Sequence, residues 1–483
     1  MLPAEPVGRP DHTEPEHRGG ATPIGSPVVV REGTSQFLTQ AARDLKPDEF
    51  PRVLVIATVS FNWEAGGGVT MCNLFKGWPQ SRIAQIYTYG VRNKDKSVCR
   101  TYYRLPPVDR QLELAEGRGL FGSGPIAKAL RRGRAHRMLR LEHQFQEAIA
   151  FARKCKPDVA YVRPLDKPSS YWWLGHDLCK LLGIPYVTHI MDDWPARYAD
   201  DAKAGSNSDI PRGIRGGLKA RRMASAVQKT INGAATNIAI SPEMASAFTE
   251  RYGRPFEAFH NTVNVKQWAS LRAARPGGRA GIDRPFVVRY VGGLMADKER
   301  RSLQEIALAA RKLHDAGRKV RFEIHCGPAW NDEVDEHLAD EPVTGRGAFL
   351  KQVALPCVLS PADLVVLPIN FDERSRKYVG LSMQPKGPEY MASGAPILVY
   401  GPATNPNVRY AKDAGWAVVI DQHDPTGDAI ARTIEGMMHA PCVASRTSAR
   451  AADVVERNHD ASVVRTRFRA VVRDAAGHSV PTA

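Results

Sequence analysis

PKGPEYMASGAPILVYGP, residues 385–402, is the stretch on which the reading of this chain turns. Pro385 and Pro388 open a short helix, Gly394 closes it, and the apolar run Pro396 to Tyr400 follows as a strand. Proline suits the first turn of a helix and glycine its exit. Glu389 lies in that first turn, preceded by Lys386. A carboxylate only accepts hydrogen bonds, so it pairs well with the two hydroxyls of a vicinal diol. Free N–H groups and the dipole at the same helix end favour phosphate. Ribose and diphosphate together are what a sugar nucleotide offers.

Outward from this stretch, strand and helix signals alternate twice. RVLVIATVS (52–60) reads as a buried parallel strand, followed by Gly66-Gly67-Gly68 and a helix from Val69. Further strands fit 159–164, 185–192 and 236–242, and one intervening helix carries Trp172, Trp173, Leu174, Leu178 and Leu181 at core spacing. The Pro, Gly and Arg mixture at 271–284 reads as a linker. Beyond it, PFVVRYVGG opens a second alternating region. Its first helical face is Leu303, Ile306, Ala307, Ala310 and Leu313, and strands follow at 320–324, 362–369, 395–401 and 416–420. The pattern predicts an α/β protein of two Rossmann-like doubly wound domains facing a cleft, with ligands at the carboxyl ends of the strands. The expected division is a loose N-terminal arm (1–47), an N-terminal acceptor domain (48–270), the linker (271–284) and a C-terminal donor domain (285–440). Helices at 441–475, including a face of Val464, Phe468 and Val471, are expected to pack back toward the N-terminal domain, leaving a tail at 476–483.

Composition narrows the function classes. Lys plus Arg is 67 against 51 Asp plus Glu, a net charge of +16, with basic runs at 128–140 and 212–222. Such runs suit a solvated face, a phosphorylated substrate or an anionic membrane surface. No aromatic-rich RNA-binding sheet or zinc finger accompanies them, so nucleic acid is not expected as a partner. The seven cysteines are scattered without a C-x-x-C pair, which argues for reduced thiols and against a zinc site. With no long apolar run and no apolar segment at the acidic N-terminus, the expected compartment is the cytoplasm, with the inner membrane face as a peripheral option.

Five motifs occur in order: GGGVT (66–70), HIMDDWP (189–195), AISPEMASAFTERYG (239–253), YVGGL (290–294) and KGPEYMASGAPILVYGP. In this order they resemble the retaining GT-B glycosyltransferases of glycosyltransferase family 4, over residues from about 52 to 472. The resemblance implies transfer of a sugar from a UDP- or GDP-linked donor to an acceptor hydroxyl on a glycan or lipid-linked saccharide, with retention at the anomeric carbon. It implies neither cofactor nor metal. Glu389 takes the place of the family's ribose-binding glutamate, and nearby amides that of its diphosphate cradle. The family's second carboxylate, eight positions earlier, is Leu381 here; Ser382, Gln384 and Lys386 are candidate substitutes. The family's phosphate-binding arginine is Gly293, leaving Lys298 as the best-placed cation, with Arg300 and Arg301 nearby. The sugar-contacting histidine is replaced by Met191, with His189 two residues earlier on the same strand face.

Asp192 or Asp193 is expected to orient or deprotonate the acceptor hydroxyl, while the other caps the next segment. Gly67 and Gly68 are expected to let backbone approach the donor. A nucleotide-sugar epimerase and an inactive nucleotide-sugar-binding homologue are the competing functions. Donor isomerisation without an acceptor would mark the first, and the departures at Leu381, Gly293 and Met191 motivate the second.

Overall fold

A computed structural model describes residues 46–63, 66–89, 94–105, 146–163, 174–193, 195–196, 214–273, 284–348 and 354–477. The first basic run, Trp172 and Trp173, and most of the proposed arm, linker and tail lie outside these residues, as do the side chains of the second basic run apart from Arg221.

The central continuous apolar runs become buried parallel strands, flanked by shorter and more exposed ones. In the N-terminal lobe these are β1 (Val53–Val59), β2 (Ile83–Tyr89), β3 (Thr101–Arg104), β4 (Val159–Val162), β5 (Tyr186–Ile190), β6 (Thr236–Ala239) and β7 (Phe256–Ala258). They form one seven-stranded sheet in the order β3-β2-β1-β4-β5-β6-β7. The C-terminal lobe has β8 (Phe286–Val291), β9 (Val320–His325), β10 (Thr344–Arg346), β11 (Leu364–Pro368), β12 (Ile397–Tyr400) and β13 (Val418–Ile420), in the order β10-β9-β8-β11-β12-β13. All strand pairings in both sheets are parallel. Apolar clusters cover both faces of each sheet, as an all-parallel sheet requires. The order reverses at β1/β4 and at β8/β11, and crevices for ligands form at such points.

Two local expectations are corrected. The glycines at 66–68 do not precede the helix but form its first turn, in α1 (Gly66–Phe75). Leu181, assigned to a core face with Leu174 and Leu178, is 42% exposed, whereas those two are buried. It follows Leu178 by three residues, but its helix, Leu174–Leu182, turns that position past the edge of the buried stripe.

The C-terminal segment ties the lobes together. A helix at Pro441–His459 packs on the C-terminal lobe, and the next helix, Ala461–Ala475, packs on α1 of the N-terminal lobe. Where the chain passes between them, Val263 N–H donates to the His459 carbonyl at 3.0 Å and Ala461 N–H to the Val263 carbonyl at 2.9 Å. Phe468 is fully buried, edge-on to Phe75 at 5.1 Å and Tyr161 at 5.5 Å between ring centroids. Phe468→Ala therefore should destabilise the protein by about 3–5 kcal/mol, read as a lower urea midpoint. An unchanged midpoint would show that the last helix adds nothing to the N-terminal core.

Candidate functional site

At the C-terminal lobe's switch point, β8 runs out through Tyr290 and Val291 into Gly292-Gly293. Gly292 has φ 155°, and a Cβ there would come within 2.5 Å of Lys386 Nζ and 2.7 Å of the Tyr290 hydroxyl, so only glycine fits. Lys386 sits at the N-cap of a helix at Gly387–Ser393. Tyr390 fixes that helix to the strand: its hydroxyl accepts from Val291 N–H at 3.0 Å and lies 3.2 Å from the Val291 carbonyl. Lys386 Nζ in turn donates to the Tyr290 hydroxyl at 2.6 Å and lies 4.2 Å from the centre of its ring. Burial pulls the Lys386 ammonium down to about 8, against the attraction of Glu299 and Glu389 and with the help of Lys298. Glu389 is thus a half-buried carboxylate beside Lys386 at this strand end.

Lys298 reaches the same cleft from the loop after β8. Buried Asn370, just past β11, holds that loop: its N–H donates to the Lys298 carbonyl at 2.8 Å and its side-chain amide to the Ala296 carbonyl at 2.9 Å. The lysine Nζ lies 3.5 Å from Asp192 Oδ2 across the cleft and 4.7 Å from the centre of the Tyr378 ring. Burial works against its charge, but Asp192 leads the groups that outweigh it, so its affinity for the proton is raised.

On the facing lobe, a crevice of about 210 Å³ at the β1/β4 switch point is lined by Ala57, Thr58, Gly67, Arg163, His189 and Asp192, with Tyr378 from the other lobe. His189 is 2% exposed, its Nδ1 lies 2.6 Å from the Tyr161 hydroxyl, and its Nε2 has no hydrogen-bond partner among the described residues. Burial, seconded by Arg163, drives its imidazole down to about 3, so it is neutral. Arg163 donates to the Gly67 carbonyl at 2.7 Å, and a Cβ on Gly67 would meet that guanidinium at 2.8 Å. A Cβ on Gly68 would meet the Asn62 side chain at 2.1 Å. The requirement for glycine at both positions is close packing.

The two aspartates separate cleanly. Asp193 is 2% exposed, accepts from both terminal nitrogens of Arg251 at 2.8 Å each and from Ala196 N–H at 3.3 Å, and so anchors β5's exit and the start of the next segment. Asp192 is the acid at the cleft. Leu381, in the place of the second family carboxylate, joins Met383 against the N-terminal lobe's Ile190 and Met244 cluster, and its carbonyl accepts from Ser241 Oγ at 2.8 Å. Ser382 is buried behind it, its carbonyl accepting from Asn407 at 3.1 Å.

The structure thus brings Lys298 and Lys386 together beside Gly292-Gly293 and sets Asp192 opposite. Gly293 lies against Trp330, 3.4 Å from where its Cβ would be. Arg163, Asn370 and Tyr290 are the participants that sequence reasoning missed; Arg163 carried one signal, as the charge ending an otherwise apolar strand. Among the described residues, no three His, Cys, Asp or Glu side chains gather closely enough to hold a metal ion. If Asp193 is structural and Asp192 is not, Asp193→Ala should lower stability by about 1–3 kcal/mol by orphaning Arg251. Asp192→Asn should leave the melting temperature near wild type. Equal losses in a paired thermal melt would contradict this division of roles.

No protein-family pattern matches this sequence, and no curated protein matches it in sequence. Solved structures do match in fold. A glycosyltransferase from Rickettsia africae superposes with a TM-score of 0.54 at 11% identity, over 89% of this chain and all (100%) of that one. A trehalose-6-phosphate synthase, described in work on glycosyl transfer with retention, gives 0.53 at 11% identity over 89% and 100%. The S. aureus TarM G117R mutant, in complex with fondaparinux, alpha-GlcNAc-glycerol and UDP, gives 0.51 at 10% identity over 87% and 99%. The architecture is GT-B: two Rossmann-like lobes with parallel sheets of seven and six strands.

Proposed function

We propose that this chain is a metal-independent glycosyltransferase that moves a sugar from a UDP- or GDP-linked donor to an acceptor hydroxyl, with retention. The observation that carries this reading is the paired ammonium groups of Lys298 and Lys386 at a glycine turn on the C-terminal lobe's switch point, facing Asp192 across the cleft. Two half-buried cations beside backbone that a ligand can approach closely suit a diphosphate. Their charge also stabilises the negative charge that develops on the departing nucleotide. Glu389 receives the ribose hydroxyls. Asp192 leaves Lys298 for the acceptor hydroxyl when the diphosphate takes its place. The neighbours are consistent with this reading, since TarM is described with UDP and a sugar-bearing glycerol. The acceptor is a glycan or lipid-linked saccharide of a surface polysaccharide, and the reaction runs at the cytoplasmic face. No helix among the described residues is long and apolar enough to cross a membrane.

Titration calorimetry with UDP- and GDP-sugars tests the donor site. One of these should bind, and Glu389→Ala and Lys386→Met should each weaken it by roughly tenfold to a hundredfold, the loss of one charge-assisted contact. The unliganded Lys386 ammonium titrates at about 8, so donor affinity should be flat below that pH. It should fall by up to about tenfold per unit above it, where binding must first take up a proton. Affinity that stays level through pH 9.5, or indifference to every nucleotide sugar, would reject the assignment.

A further inference from the structure

The donor reading uses one flank of the glycine turn and leaves the other without a role. Gly292 faces Lys386, whereas Gly293 faces Trp330, whose indole Nε1 is the atom nearest to where a Gly293 Cβ would stand. The Gly293 carbonyl is taken by the Tyr290 hydroxyl at 2.5 Å. Its N–H finds no acceptor among the described residues.

Trp330 is held in place by the chain around it. It closes a single 3₁₀ turn, Pro328–Trp330, just after β9, and its backbone N–H donates to the Gly327 carbonyl at 2.9 Å. Its ring packs on the apolar core of the C-terminal lobe. The residue is only half-buried, and its Nε1–H is open to solvent with no hydrogen-bond partner among the described residues. An indole N–H can only donate, so the ligand that meets this edge must bring an acceptor. Room for one exists: Trp330 lines a crevice of about 320 Å³ that runs along Leu294 to Asp297, the loop leading to Lys298.

The turn therefore carries an ammonium on one flank, an indole N–H on the other and a free amide between them. Consecutive residues carry the two flanks, so one ligand lying across the turn reaches both. Oxygens on two linked phosphates suit that set of donors.

We propose that Trp330 is a donor-binding residue: its indole N–H donates to a diphosphate oxygen of the sugar nucleotide, from the flank of the turn opposite Lys386. This rests on the reading that the diphosphate lies over the turn. The contact is neutral. It adds direction without adding charge, while the two lysines supply the electrostatic attraction. It also gives position 293 a reason to lack a side chain, since a methyl there would stand 3.4 Å from Nε1 and screen its hydrogen.

Inorganic pyrophosphate and the nucleotides UDP and GDP are the probes, measured by calorimetry on the full chain. Trp330→Phe keeps an aromatic ring and removes the N–H. It should weaken pyrophosphate and the nucleoside diphosphate alike by roughly tenfold, the loss of one hydrogen bond to a charged acceptor. The salt dependence of the remaining affinity should match wild type, whereas Lys386→Met should flatten it. Gly293→Ala tests the same contact from the other side and serves if Trp330→Phe does not fold. Its methyl meets the indole at van der Waals distance and needs no left-handed backbone, so the fold should accept it while the ligand loses a similar factor. The double variant should bind no more weakly than either single one, because both remove one contact. Wild-type pyrophosphate affinity in Trp330→Phe, or in Gly293→Ala where it stands in, overturns the proposal. Additive losses in the double variant do so too, since the methyl would then act on the ligand directly. If the wild type binds neither pyrophosphate nor any UDP- or GDP-linked sugar, the donor reading itself fails and takes this assignment with it.

Discussion

Two ammonium groups share one sheltered cleft, and that constraint organises the site. Lys298 finds Asp192 at 3.5 Å, a long contact for an ion pair, and Lys386 finds a phenol in place of a carboxylate. Glu299 lies among them, but its own burial raises its hold on a proton and blunts it as a counter-ion. Lys298 is held charged by Asp192, but the Lys386 ammonium, drawn partly out of water and facing a phenol, is costly to keep charged. An anion entering from outside would relieve that cost, and in the proposed reading it is the diphosphate of a sugar nucleotide. The rest of the fold serves this: the glycine turn makes room, Tyr390 fixes the helix carrying Lys386, and Asn370 fixes the loop carrying Lys298.

Most of what was legible in the sequence was local. Continuous apolar runs declared the central strands, and the Pro and Gly signals around Glu389 placed a short helix ending at Ser393 before β12. The edge strands β3, β7 and β10, and β2 next to one of them, were not anticipated, being short or interrupted by polar residues such as Gln85 and Glu257. The site's supporting contacts were hidden for a different reason. Arg251 meets Asp193 across 58 residues and Asn370 meets Ala296 across 74, and no periodicity encodes such pairs. Glycines at 67 and 68 announced close approach, but only the folded chain shows that the approaching groups are Arg163 and Asn62.

The departure at Leu381 also acquires a physical meaning. Where the resembling family has a carboxylate, this chain puts apolar Leu381 and Met383 into the cluster formed by Ile190, Met223 and Phe248 of the opposite lobe. An acid there would be desolvated against hydrocarbon. Leu381 and Met383 make an apolar seam between the lobes at this point.

The crossing of the final helix to the N-terminal lobe has a consequence for biosynthesis. Phe75, Tyr161 and Phe259 close around Phe468, a side chain made more than two hundred residues after the last of them. While the ribosome is still at work, the first lobe therefore carries an unfilled aromatic socket. The half synthesised first cannot complete its core until Phe468 is made, and a nascent chain stalled before that residue emerges presents the socket to chaperones and proteases.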